Sequence, residues 1–218
     1  PRQGFSKKMA YFVTGAGSLH RQFAMDGKAY CAPMGVAHFL EHKMFENEDG
    51  DAFDKYAKTG ANANAFTSFD KTCYLFSCTG DFAASLKILL DFVQDPYFTA
   101  ETVAKEQGII GQEIRMIEDN PDWQIYTRML QALYSKSPAR TSIAGTVESI
   151  SHITAETLYD CHKAFYTPSN MVLAVVGDVD PQCVVNLAQR VLPCESGPVI
   201  PRDYGDEPDA VAERETSC

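Results

Sequence analysis

The chain has 218 residues, 45% of them hydrophobic, which predicts one substantial globular domain or two small ones. Its net charge of −10 argues against nucleic acid as a main partner, because phosphate binding needs clustered Lys and Arg. No apolar run approaches the roughly 18 residues that span a bilayer, so no membrane span is expected.

Seven cysteines are scattered along the chain without C-x-x-C spacing. An odd and irregular set is typical of reduced thiols rather than of a disulfide framework, so the sequence predicts a cytoplasmic protein. The same spacing disfavours a zinc site built from cysteines. No signal peptide is visible at the first residue, Pro1.

Hydrophobic periodicity and turn residues predict the elements of the first half in chain order. Strands are expected at residues 8–14 and 20–24, followed by a helix at 35–47. The remaining elements are a short helix at 51–58 that Gly60 stops, and two strands at 61–68 and 72–78 with a turn between them.

Helices dominate the second half. An amphipathic helix is expected at 81–94, and Thr99 is the expected N-cap of a long helix that ends where Pro121 interrupts it. Further helices are predicted at 121–135, 154–166 and 181–191, with a buried strand at 171–176. Hairpin strands combined with long helices predict an α+β fold of two layers, with the helices packed on one face of a mainly antiparallel sheet.

The composition changes at Cys194. From there onward prolines, glycines and acidic residues predominate, which is typical of a linker or tail. The sequence therefore predicts one domain at residues 1–193 and an acidic linker at 194–218.

Residues 38–42 read His-Phe-Leu-Glu-His, the inverted form of the common zinc-peptidase motif. On a helix, His38 and His42 lie one turn apart with Cβ atoms about 5–6 Å from each other. That spacing suits two imidazoles that bind one zinc ion, and Glu41 is placed to take a proton from a water at the metal. Histidines that cap a helix or fill a core are the alternative, but the helical apolar spacing around the motif favours a metal site.

A catalytic zinc usually has three protein ligands, so a third donor is expected. Glu106 and Glu113 lie on one face of the predicted long helix, about 10.5 Å apart along its axis. Both lie among apolar residues, where a carboxylate needs a partner or a metal. The distance predicts that one binds the metal while the other hydrogen-bonds a ligand histidine, without deciding which. An amphipathic helix whose acids face water is the alternative.

Four segments resemble the pitrilysin and mitochondrial-processing-peptidase family of inverted-motif zinc peptidases, to which insulin-degrading enzyme belongs. They occur in family order, cover nearly the whole chain before the tail, and match the N-terminal, zinc-binding half of bacterial members. The segments are Gly35-Val-Ala-His-Phe-Leu-Glu-His42, Asn64-Ala-Phe-Thr67, Glu106-Gln-Gly-Ile-Ile-Gly-Gln-Glu113 and Ser169-Asn-Met-Val-Leu-Ala-Val-Val-Gly-Asp178.

The resemblance assigns a role to each acid and histidine. It implies that Glu113 joins His38 and His42 as a ligand of one Zn²⁺ per chain. It also implies that Glu41 is the general base and that Glu106 is a supporting active-site acid.

The resemblance also implies a site for the substrate. Asn64, Ala65, Phe66 and Thr67 match an edge strand on which an extended peptide pairs by strand addition. An ordinary edge strand without a ligand is the alternative. The implied function is that of a zinc-dependent metalloendopeptidase that hydrolyses unstructured peptides or small proteins.

Family members enclose a chamber between two homologous halves, and the second half supplies further substrate-binding groups. The resemblance therefore implies a homologous C-terminal half, a partner subunit or a dimer.

One alternative is a non-catalytic or half-site subunit that is inactive without its second half, although all motif residues are present. The S-ribosylhomocysteine lyase family shares H-x-x-E-H but takes a cysteine ligand, and no cysteine lies between Cys78 and Cys161. An unrelated α+β domain with a chance motif is the last alternative.

Overall fold

The computed structural model of the protein describes residues 1–194, 197, 200–201 and 206–209. The strands are β1 (Lys8–Thr14), β2 (Gln22–Met25), β3 (Lys28–Cys31), β4 (Glu46–Asn47), β5 (Gly50–Asp51), β6 (Asn62–Thr67), β7 (Thr72–Cys78) and β8 (Met171–Val176). The helices are α1 (Val36–Lys43), α2 (Ala52–Thr59), α3 (Phe82–Gln94), α4 (Ala100–Glu118), α5 (Pro121–Leu133), α6 (Val147–Ser151), α7 (Ala155–Phe165) and α8 (Pro181–Val191). No helix among these residues is both long and apolar enough to cross a membrane.

The main sheet has four antiparallel strands in the order β6-β7-β1-β8. Strands β6 and β7 form a hairpin, since Thr67 pairs with Thr72 at the turn and Asn62 with Ser77 at the far end. Strand β6 therefore lies at one edge of the sheet, as the family resemblance implies for residues 64–67.

The two faces of the sheet differ in burial. Helix α3 packs on β7 and β1, and α1 packs on β6 and β7. The residues beneath them are almost fully buried: Ala10 and Phe12 from β1, and Tyr74 and Phe76 from β7. Alternate residues on the opposite face are half-buried or exposed along β1 and β8. The predicted α+β fold of two layers, with helices on one face of an antiparallel sheet, is confirmed.

The helix predicted at 35–47 is shorter in the structure. It ends at Lys43, and the chain enters the small hairpin of β4 and β5. Gly50 has φ 118°, a conformation that only glycine adopts without strain. The prediction was too long because Met44 and Phe45 continue the apolar pattern, although they are buried beyond the helix end.

The strand predicted at 20–24 lies at 22–25, and its partner β3 was not predicted. The turn between them contains Asp26 and Gly27, both with positive φ, at 54° and 74°. An Asp-Gly pair between two short strands is a signal for a type I′ hairpin turn. The sequence therefore contained the signal for this hairpin.

Strand β8 was predicted to be buried, and this was wrong for one of its faces. The strand lies at the second edge of the sheet, with Val172 64% and Val176 55% exposed. Its other face, with Leu173 and Val175, packs against the core. An unbroken apolar run shows no alternation, so periodicity could not distinguish an edge strand from a buried one.

The predicted linker at 194–218 falls largely outside the described residues. Within its described part, Ile200 is buried against the domain. The carboxylate of Glu207 accepts hydrogen bonds from the backbone N–H groups of Ser135 and Ser137, both at 2.6 Å, and of Lys136 at 3.0 Å. Burial raises the pKa of Glu207, but these hydrogen bonds outweigh it and lower the pKa to about 2.

The Glu207 contact predicts a change in local protection. In Glu207→Gln one carboxylate oxygen becomes an amide NH₂, which cannot accept from a backbone N–H. We expect the amides of residues 135–137 to exchange hydrogen faster, as measured by mass spectrometry of their peptide. Asp206→Asn, a change at an exposed neighbouring acid, is the control. Equal exchange in Glu207→Gln and in the parent chain would contradict the contact.

Candidate metal centre

Two glycines fix the position of α1. Gly35 has φ 88°, and a Cβ there would lie 2.4 Å from the carbonyl oxygen of Ala144. A Cβ on Gly145 would lie 2.6 Å from the carbonyl oxygen of Met34. The two segments can approach this closely only because both residues lack a side chain. Ser149 Oγ donates to the same Met34 carbonyl at 2.9 Å, which holds the start of the helix.

Helix α4 carries the acidic residues and packs against α1. Thr99 begins the helix as predicted, since its side chain accepts from the N–H of Thr102. Ile110 and Ile114 are buried in the core at 0% and 2% exposure. The packing of this apolar face sets the rotation of the helix, so the acids on the neighbouring face meet the histidines of α1.

His38, His42 and Glu113 converge on one point. The distance from His38 Nε2 to Glu113 Oε1 is 3.6 Å, and His42 Nε2 lies 3.6 Å from Glu113 Oε2. One ligand atom from each of the three residues lies within 4.8 Å of the other two. The structure therefore brings together the three residues predicted to bind the metal.

These distances fit a metal better than a hydrogen-bonded cluster. A separation of 3.6 Å is too long for a hydrogen bond. Two ligands about 2.0–2.1 Å from a tetrahedral zinc ion are about 3.3 Å apart, which is close to the observed spacing. Two imidazoles and one carboxylate also match the donor set of catalytic zinc sites.

Glu106 lies behind one of the histidines. His42 Nδ1 is 2.9 Å from Glu106 Oε1, and a carboxylate can only accept, so the imidazole donates. This bond leaves the Nε2 lone pair of His42 directed at Glu113. The sequence left open which acid contacts which histidine atom, and the structure places Glu106 outside the convergent group.

The two histidines differ in electrostatics. Burial, and then the neighbouring His42, lower the pKa of His38 to about 4, so His38 is neutral at neutral pH. A neutral imidazole is the form that binds a metal. Burial also acts to lower the pKa of His42, but the hydrogen bond to Glu106 and the nearby charges of Glu41, Glu106 and Glu113 outweigh it and raise the pKa.

Glu41 is the third functional residue of α1. It is buried, with 8% exposure, and burial raises its pKa. Thr67 Oγ1 donates to Glu41 Oε2 at 2.6 Å, which acts in the opposite direction. A carboxylate with a raised pKa, beside a predicted metal site, is suited to hold a proton during a reaction.

His38, His42, Glu113 and Glu41 face one open cavity of about 470 Å³. One wall is the metal group with Glu41, and a second is the edge strand β6 with residues 64–67. The opposite wall comes from α5 and the segment after it, with Trp123, Tyr126, Leu130 and Arg140. The cavity therefore joins the predicted metal site and the predicted peptide strand.

Comparison with protein families identifies the chain. A family model described as insulinase (peptidase family M16) matches residues 28–147, which include His38, Glu41, His42 and Glu113. The chain belongs to the M16 peptidase family. A second model, described as the M16 inactive domain, matches residues 152–215. The family resemblance seen in the four sequence segments is confirmed.

Curated relatives of this M16 chain are named zinc proteases. The uncharacterized zinc protease YmfH of Bacillus subtilis (strain 168) is 50% identical over 220 residues, which cover 99% of this chain and 51% of that protein. An uncharacterized zinc protease of Rickettsia felis is 32% identical over 162 residues, covering 72% of this chain and 39% of that protein. These names agree with the donor set of the metal centre.

A solved structure shows the same fold. The crystal structure of an M16-like peptidase from Alicyclobacillus acidocaldarius matches with a TM-score of 0.92 at 45% identity, covering 97% of this chain and 51% of that one. The M16 chain therefore spans about half the length of the relatives that it matches over nearly all its residues.

The far wall of the cavity was not predicted from the sequence. Trp123, Tyr126 and Leu130 lie at i, i+3 and i+7 on α5, a spacing that predicts a shared apolar face. The pattern was present, but it predicts core packing as readily as a cavity wall. The structure shows that no residue of α5 is buried, and that Trp123 is 47% exposed.

The metal centre predicts an order of effects on zinc affinity. Glu113→Gln removes a charged ligand, whereas Glu106→Gln removes a hydrogen-bond partner of His42. We expect the Glu106 change to weaken zinc binding about 10–100-fold and the Glu113 change to weaken it more. Competition with a zinc chelator measures both dissociation constants.

Glu118→Gln is the matched control for these variants, because Glu118 lies exposed at the end of the same helix. It should bind zinc like the parent chain. A Glu113 variant that binds zinc with parental affinity would refute the assignment of Glu113 as a ligand.

Proposed function

We propose that this chain is the metal-binding half of a zinc-dependent metalloendopeptidase that hydrolyses unstructured peptides or small proteins. The convergence of His38, His42 and Glu113 beside the buried Glu41 carries this proposal. The position of this group in a cavity bordered by a sheet edge supports a peptide as the substrate.

Each residue of the site has its own role in the proposed reaction. When bound, zinc supplies a Lewis acid that polarises a carbonyl and acidifies water. Glu41 accepts the proton of the attacking water and delivers it to the leaving amine. Glu106 fixes the tautomer of His42, so that its Nε2 lone pair faces the cavity.

Strand β6 provides the surface for the substrate backbone. The strand pairs with β7 along one side, and its other side lines the cavity. The N–H of Ala65 donates to Asn64 Oδ1 at 2.8 Å, so a peptide that pairs with this donor would displace the Asn64 side chain. Hydrogen bonds between the two backbones would bind many sequences in one extended conformation.

The whole activity is proposed to require sequence beyond this chain. The chain covers 51% of YmfH, and a two-half peptidase would account for that proportion. A homologous C-terminal half or a partner subunit would then close the cavity, whose wall of α5 and Arg140 faces the β6 edge. A cytoplasmic location is part of this proposal, and the free thiols of all six described cysteines support it.

A second candidate function is a half-site subunit that binds peptide but does not cleave it. The match of residues 152–215 to a model described as an inactive domain favours this candidate. The zinc-loaded protein should then bind an unstructured peptide but not cleave it, even when the second half is present. Cleavage that depends on Glu41 in the two-half protein would refute this second function.

Glu41→Gln tests the proposed chemistry. Glutamine keeps the shape of the side chain but cannot accept the proton of water, so we expect turnover of a fluorogenic unstructured peptide to fall about 10²–10⁴-fold. Zinc content should stay at that of the parent protein, because Glu41 is not a ligand. The measurement is made on the complete two-half protein, and Glu118→Gln should retain parental turnover. Unchanged hydrolysis by Glu41→Gln would rule out Glu41 as the base.

A further inference from the structure

Thr67 makes a contact that the family assignment does not explain. It is the last residue of β6, and its Oγ1 donates to Glu41 Oε2 at 2.6 Å. Among the described residues this is the one hydrogen bond that reaches the Glu41 carboxylate. Glu41 and Thr67 are 26 residues apart, so the bond depends on how α1 packs against β6.

The orientation of Thr67 follows from strand alternation. Ala63, Ala65 and Thr67 are half-buried and face the helix layer, whereas Asn62, Asn64 and Phe66 are exposed. The backbone of Thr67 therefore belongs to the strand proposed to bind the peptide, while its hydroxyl points at the proposed base. One residue joins the two parts of the site.

The surroundings of Glu41 make this bond important for its geometry. Burial is the largest cause that raises the pKa values of Cys73, Tyr74 and Tyr166, and the charge of Glu41 acts in the same direction. The hydroxyl groups of Tyr74 and Tyr166 bond to each other at 2.8 Å. Among the described residues neither of these hydroxyl groups bonds to Glu41, so Thr67 is the residue that orients the carboxylate.

We propose that Thr67 is a positioning residue for the base: its hydroxyl holds Oε2 of Glu41, so that Oε1 faces the water that attacks a peptide paired with β6. The inference rests on the proposed function of Glu41. A general base must lie within hydrogen-bond reach of the proton it removes, and a carboxylate free to rotate would meet this condition for only part of the time.

The test uses Thr67→Val and Thr67→Ser in the complete zinc-loaded protein. Valine keeps the shape of threonine without the hydroxyl, so kcat should fall about 10- to 100-fold, as expected for a lost hydrogen bond to a charged group. KM and the zinc dissociation constant should stay unchanged, because the backbone of β6 and the ligands are intact. Serine keeps the hydroxyl and should restore most of kcat.

Thr14→Val is the matched structural control. Thr14 lies on β1 in the same sheet, is fully buried, and donates to the carbonyl of Phe165 at 2.7 Å. This variant should lower thermal stability but keep kcat. A Thr67→Val protein that loses kcat only as much as Thr14→Val, or a Thr67→Ser protein that rescues nothing, would overturn the positioning role.

Two further measurements separate Thr67 from Glu41. In a Glu41→Gln background, Thr67→Val should lower the residual rate no further, since both changes act on one step. Fluorescence anisotropy in that background should give equal peptide affinity with Thr or Val at position 67. An additive loss of rate or a weakened affinity would refute action through Glu41. If the parent protein cleaves no peptide, the proposed function fails; if it does and Thr67→Val cleaves equally, only the positioning role fails.

Discussion

The packing of α1 against α4 is the constraint on which the site depends. His42 lies between two acids of α4, with Nδ1 on Glu106 and Nε2 facing Glu113. The two acids are separated by about two helical turns, which one imidazole can bridge only when the helices are in direct contact. The close approach at Gly35 and the burial of Ile110 hold this contact. Residues that neither bind the metal nor take part in the reaction therefore set the distance between the ligands.

The sequence predicted the parts of the site that repeat with the helix period. His38 and His42, and likewise Glu106 and Glu113, lie on single helices, where spacing alone determines a shared face. Contacts between separate helices and strands could not be predicted from the sequence in the same way. The bond from Thr67 to Glu41 and the cavity wall on α5 depend on how separate elements pack, and single-chain periodicity carries no information about their relative placement.

In the fold, too, features with a local sequence signal were predicted, whereas features that depend on tertiary packing were not. The hairpin of β6 and β7 and the long helices followed from turn residues, caps and apolar periods. The end of α1 could not be predicted in this way, because Phe45 is buried by tertiary packing and continues the helical pattern beyond the helix. The edge position of β8 could not be predicted either, since the run of apolar residues from Met171 resembles that of a central strand. In both cases a run of apolar residues carried no local signal for where the helix ends or for which strand lies at the edge of the sheet.

Electrostatics gives an argument for a cation that is independent of family membership. The carboxyl groups of Glu41, Glu106 and Glu113 lie around two histidines, and burial keeps His38 neutral. Lys43, the nearest cation in sequence, is buried and pairs with Glu46. The charge of Glu113 acts to raise the pKa of Glu41, so these two carboxylates repel each other, and a divalent cation beside them relieves that repulsion. The repulsion between these carboxylates therefore favours the binding of a metal ion by the ligand residues.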